Sequence, residues 1–125
     1  MTISSIETFF DSLLRGKLTK NLFFGELPTN IVKNWKDVVV VDCGNPIRNK
    51  DAFSQGTVLV YLYVRQNSQG VKDVKTMQML ECKLNELIDN NNDPYYKTTI
   101  VGNYTNYNAV NDLYFTIIQI NLVVI

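Results

Sequence analysis

At 125 residues, with 46% apolar and 19% charged side chains, the chain has the size and make-up of a single folded domain, residues 1–125, and not of a disordered segment. Its 12 basic and 12 acidic residues cancel, which removes the basic excess of a dedicated nucleic-acid binder and one barrier to self-association. It has no histidine, so no Ser-His-Asp, Cys-His or histidine–metal arrangement can be built from it, while carboxylate and lysine chemistry stay open.

In chain order, Ser4 and Glu7 have the spacing of a capping box. Ile6, Phe9, Phe10, Leu13 and Leu14 then form one apolar stripe, predicting a helix over about residues 4–15 that Gly16 ends. Leu22-Phe23-Phe24 reads as a short strand or an extended arm before the Pro28 turn. Asn30 to Lys36 carries Ile31, Val32 and Trp35 at near-helical spacing, with Trp35 either capping a core edge or serving as a contact residue.

Asp37 to Cys43 is a strand whose four consecutive valines predict burial on both faces. Gly44 to Gly56 is a long polar connection, a kind of loop that in a compact domain is usually functional or mobile. Thr57 to Arg65 is a nine-residue apolar strand, and its pairing with the valine strand would make a long-looped hairpin. From Asp73 to Asn90 the period becomes helical, with Val74, Met77, Leu80, Leu84, Leu87 and Ile88 on one face and Lys75, Lys83, Glu86 and Asp89 on the other. Asn90 to Pro94 ends this helix.

Tyr95 to Thr105 is read as a strand, Asn106 to Asp112 as a turn and Leu113 to Ile125 as the last strand. In that last strand Thr116, Ile118, Ile120, Leu122 and Val124 face the core. The implied fold is an α+β two-layer sandwich. Its mixed, mostly antiparallel sheet has four to five strands, and both helices lie on one face.

Few residues suggest chemistry. Cys43 and Cys82 read as two reduced thiols, since nothing at the N-terminus resembles an export leader. Asp42-Cys43-Gly44 has a nucleophile's position on a strand-to-loop turn but no base partner. The glycines are isolated, so no phosphate-cradling loop is present, and Asn90 to Asp93 lacks the spacing of a cation loop. No catalytic, cofactor or metal residues are assigned, and no apolar run is long enough to span a bilayer. Tyr95, Tyr96, Tyr104, Tyr107 and Tyr114 crowd the last third with Lys97 as the only basic residue there, which favours packing or a protein interface over base stacking. Arg48 and Lys50, beside Asp51, are the best candidates for a phosphate contact, against the plainer reading of solvated loop charges.

The order of elements, with the phrases VVVDCGNPIRNKDAFSQGTVLVYLYVR and MLECKLNELI, resembles the small tail-terminator and tail-completion proteins of long-tailed bacteriophages, in versions from phages or prophages of gut Bacteroides-type bacteria. The resemblance runs across nearly the whole chain. It implies a non-enzymatic virion protein that forms a homo-oligomeric ring, a hexamer or dodecamer, at the head-proximal end of the tail. Such a ring ends tube polymerisation and meets the tail tube protein on one side and the head connector on the other, with DNA passing through its lumen. On that reading Arg48, Lys50 and Asp51 face the lumen or a neighbouring subunit, and Trp35, Tyr95, Tyr96 and Tyr107 supply interface aromatics. Three alternatives stand beside it: a head-side neck ring, a small dimeric ligand-binding module, and an enzyme using carboxylates such as Asp42 and Asp51.

Overall fold

The computed structural model describes residues 2–30, 35–44, 48–49, 54–66, 69–110 and 112–125, with 48–49 and 103–110 described as backbone alone. In chain order the elements are helix α1 (Ile3–Leu14), strands β1 (Leu22–Phe24), β2 (Asp37–Asp42), β3 (Arg48–Asn49) and β4 (Ser54–Arg65), helix α2 (Val74–Asp89), and strands β5 (Tyr96–Val110) and β6 (Leu113–Val124). The predicted α+β class holds: two helices pack on an open sheet whose strands lie side by side as β1-β2-β4-β6-β5, with β3 paired to the start of β4. Among the pairings of the described strands, β1–β2 is parallel and the others are antiparallel.

The first helix starts earlier than its sequence suggests. Thr2, in extended backbone (φ −121°, ψ 163°), is the N-cap. The Ser5 amide donates to Thr2 Oγ1 at 3.1 Å and the Thr2 amide donates to Ser5 Oγ at 3.1 Å. The box is therefore Thr2–Ser5 and not Ser4–Glu7, because Ser4 already has helical backbone and its carbonyl accepts from Thr8 Oγ1. The predicted stripe holds, with Ile6, Phe10 and Leu14 fully buried and Phe9 and Leu13 at the margin. Past the helix end, Gly16 takes a left-handed φ of +76°, which favours glycine at this stop.

The valine strand is buried on both faces as predicted. Val39 and Val41 join the helix-side core, and Val38 and Val40 join a smaller cluster on the far side of the sheet. β2 and β4 form the long-looped hairpin, in register from Asp37↔Val64 to Asp42↔Leu59. β4 begins at Ser54, before the predicted Thr57, since its first residues pair with β3 and β6. Polar bonds anchor the start of β2: Thr19 Oγ1 donates to Asp37 Oδ1 at 2.5 Å, and Asn21 Nδ2 donates to the Asp37 carbonyl at 3.0 Å.

The second helix follows its predicted limits and buries Met77, Leu80, Leu84 and Ile88. Val74 departs from the predicted stripe at 55% exposure, because it lies on the first turn, ahead of Met77, the first buried position. Both helices share one core with Val58, Val60, Leu62 and Val64 of β4 and Ile118, Ile120 and Leu122 of β6. Each such side chain, fully buried, contributes about 1.5–3 kcal/mol.

The stretch predicted as a turn over 106–112 is strand as far as Val110. Val110 pairs with Leu113, so only two residues connect β5 to β6, and Asp112 takes the left-handed conformation (φ 63°) that an aspartate tolerates.

Candidate interaction face

Helices α1 and α2 both cover the same side of the sheet. On the other side, the alternation of β4 and β6 sets Tyr61 and Tyr63 across from Ile117 and Phe115, and Val40 and Val38 across from the same two tyrosines. The Tyr63 and Phe115 rings lie 5.1 Å apart, Tyr61 and Phe115 6.2 Å, and the two tyrosine rings are stacked at 6.3 Å. Phe23 of β1 extends the patch, with Trp35 tilted over it at 5.8 Å. Val38, Val40 and Leu113 form its buried floor, while Phe23, Leu27, Trp35, Tyr61 and Phe115 remain partly exposed. The Arg65 guanidinium donates from Nε to the Trp35 carbonyl at 3.0 Å, holding the segment before β2 at the patch's rim.

Along the same face the aromatics give way to amides: Gln55 Nε2 donates to Asn121 Oδ1 at 3.2 Å. From Gln55 to Tyr63 and from Leu113 to Val123, the residues on this side carry no charge. Aromatic enrichment with charge depletion is the make-up of an interface core. Burial, with Tyr61 alongside, raises the Tyr63 hydroxyl above its ordinary value.

Among the described side chains, the predicted interface aromatics Trp35, Tyr95 and Tyr96 do not come together. Trp35 sits at the rim of the aromatic patch. Tyr96 lies on the helix side of the sheet, stacked on Phe9, and Tyr95 is 63% exposed at the entry to β5. Tyr114 belongs to the helix-side core, where the Lys72 ammonium lies 5.7 Å from its ring centre. Tyr104 and Tyr107 have backbone in β5 but side chains outside the described residues. Arg48 has its backbone in β3, and its side chain, with Lys50 and Asp51, lies outside them too. Tyr61, Tyr63, Phe115 and Phe23 escaped the sequence reading. The signal was the period of two in Tyr61-Leu62-Tyr63, obscured by valine and leucine on the alternate positions.

Cys43 and Cys82 are both free, the first buried and the second exposed. Burial, then the charges of Glu7 and Asp42, push the Cys43 thiol up to about 12, the reverse of what activates a nucleophile. The turn after it is structural, with the Gly44 amide donating to Asp42 Oδ1 at 2.9 Å. Two shallow clefts lie on the helix side. One of about 470 Å³ runs along α2 between Lys17, Asp37, Met79 and Glu86, and one of about 410 Å³ lies between Ser5, Ser12, Asp93 and Tyr96. Among the described residues no group of three or more metal-ligating side chains converges, and no helix is long and apolar enough to cross a membrane. No family model matches the chain, and no curated protein matches it.

Proposed function

We propose that this chain is a structural subunit of a bacteriophage particle, acting in a ring at the head-proximal end of the tail to stop tube growth and to join the tail to the head connector. One observation carries the reading: the prominent uncharged surface is a broad aromatic face on the side of the sheet away from α1 and α2, a shape suited to another protein's surface. The tail-terminator resemblance of the phrases around Asp42-Cys43-Gly44 and Thr57–Arg65 names the class of partner. A ring closes by rotation when each copy presents two complementary patches, and the aromatic face is suited to the tube or to the next copy.

The test is to co-produce the chain with the tail tube protein encoded in the same genome and to measure tube lengths by electron microscopy. Shorter tubes with added density at one end are expected. Replacing Tyr61 and Phe115 with alanine is expected to restore long tubes, since truncating a central aromatic anchor of an interface typically costs about 2 kcal/mol or more of binding. Unchanged tube lengths with bare ends in the presence of folded wild-type chain would defeat the reading.

A further inference from the structure

We propose that β5 is a self-pairing edge through which two copies of this chain join as an antiparallel strand pair. The sheet ends in two edges of very different character. The β1 edge is three residues long, flanked by the exposed charges Lys20 and Glu26 and by Gly25 in left-handed backbone (φ +88°). Shortness and flanking charge are the devices that keep an edge from pairing with another chain. The β5 edge is long, and its charges, Lys97 within it and Asp93 and Asp112 beyond its ends, lie outside the stretch from Thr98 to Val110. It is 15 residues long, and from Thr98 to Val110 it contains no charged residue and no proline. Among the described residues, no segment pairs with its outer side.

Two irregularities, between Ile100 and Gly102 and between Asn106 and Val110, divide the edge but leave two regular runs, Tyr96–Ile100 and Gly102–Asn106. Each is as long as an ordinary strand. At the first division Val101 is 59% exposed, and Thr99 beside it is exposed too.

A second copy is the occupant that this edge suits. Antiparallel pairing of β5 with itself about the regular run Gly102–Asn106 keeps the seam within the uncharged stretch Thr98–Val110, so no like charges oppose one another across it. The zero net charge of the chain adds no long-range repulsion. Such a contact is two-fold and closes on itself. It does not depend on the ring reading.

The experiment follows the mass of the purified full-length chain by sedimentation equilibrium from low to high micromolar concentration, with the Thr99→Lys/Val101→Lys double variant beside it. Each pair then carries four added lysines at the seam. The wild type is expected to double in mass with rising concentration. The variant is expected to remain one half of that mass, with an unchanged circular dichroism spectrum and melting temperature at low concentration. Hydrogen exchange of the wild type at the two concentration extremes gives a reading that needs no variant: β5 amides are expected to slow as the chain pairs. A wild type that stays monomeric, a folded double variant that still pairs, or β5 exchange that ignores concentration would overturn the proposal. No tail component enters this assay, so its failure leaves the tube-length experiment untouched.

Discussion

Phe9 of α1 and Tyr96 of β5 stack face to face, with ring centres 4.6 Å apart and planes inclined by 10°. The contact ties the first helix to the entry of the edge strand. Phe10 meets Phe9 edge-on at 5.1 Å, extending the aromatic group back into the helix-side core. Stacked aromatic pairs contribute about 0.5–1.5 kcal/mol beyond their buried area. A double-mutant cycle of Phe9→Ala and Tyr96→Ala, read by urea unfolding, is therefore expected to give a coupling of about 1 kcal/mol. Strict additivity would show that the stack contributes area alone.

Asp73 caps α2 twice through Thr76, accepting from its amide at 3.1 Å and from its hydroxyl at 2.6 Å. These two bonds, the side-chain one foremost, hold its carboxyl below the ordinary value of 3.8. The folded state binds the proton less readily than the unfolded one. The stabilisation is thus complete above 3.8 and is lost as pH falls through the lower folded value. Asp93 behaves alike, lowered by the amides of Tyr96 and Tyr95. Asp73→Ala is expected to cost about 1 kcal/mol at neutral pH. Asp73→Asn keeps a capping oxygen without a titration, so its melting temperature should fall less steeply below pH 4 than the wild type's. Identical acid profiles would show that the cap carries none of the pH dependence.

How much of this could be read beforehand follows from which signals are local. The stripe of Ile6, Phe10 and Leu14, the positions Met77, Leu80, Leu84 and Ile88 and the valines of β2 write their periods directly into the sequence, and all are buried as read, with Leu87 partly so. The alternation of Ile118, Ile120 and Leu122 likewise fixed the core side of β6. The capping box was misplaced by two residues, because hydroxyl and carboxylate residues near a helix start compete on equal terms until the backbone is known. The aromatic face stayed hidden for a different reason. It is assembled across four strands and the segment at Trp35, and the registers that bring Tyr63 beside both Val38 and Phe115 are non-local. Tyr96 and Tyr114, from the stretch where tyrosines crowd along the sequence, pack on the side of the sheet opposite Tyr61 and Tyr63.

The two thiols differ in a way that reagents can read. Cys82 is on the exposed side of α2, and Cys43 is 3% exposed with its thiol pushed up to about 12. A disulfide-exchange reagent at pH 8 is expected to react with one thiol equivalent promptly and with the second only on unfolding. Cys82→Ser should abolish the prompt phase. Because the raised value favours the protonated form in the fold, the contribution of Cys43 to stability is complete below the ordinary thiol value of 9.0 and is lost as pH rises toward 12. Two prompt equivalents from native protein would show that Cys43 is not sealed in the core.

Tyr114 carries the opposite kind of cost. Its ring is 4% exposed in the helix-side core, and its hydroxyl is the one buried side-chain oxygen or nitrogen among the described residues with no hydrogen-bond partner. Burial, with the charges of Asp73 and then Glu81, pushes that hydroxyl up to about 12. A buried polar group left unpaired costs about 1–3 kcal/mol, so removing it while keeping the ring restores part of that loss. Tyr114→Phe is expected to unfold at the same or a higher urea concentration than the wild type, where most core substitutions destabilise. It should also hold its stability better in alkali. The wild-type hydroxyl keeps its proton in the fold, so its contribution is complete below 10.0 and declines as pH rises toward 12, and phenylalanine has no such titration. Tyr114→Leu should behave differently, losing ring packing together with the hydroxyl and unfolding at lower urea. A Tyr114→Phe variant less stable by 1 kcal/mol or more would mean that the hydroxyl is satisfied in solution, by a water reaching it beside Glu81.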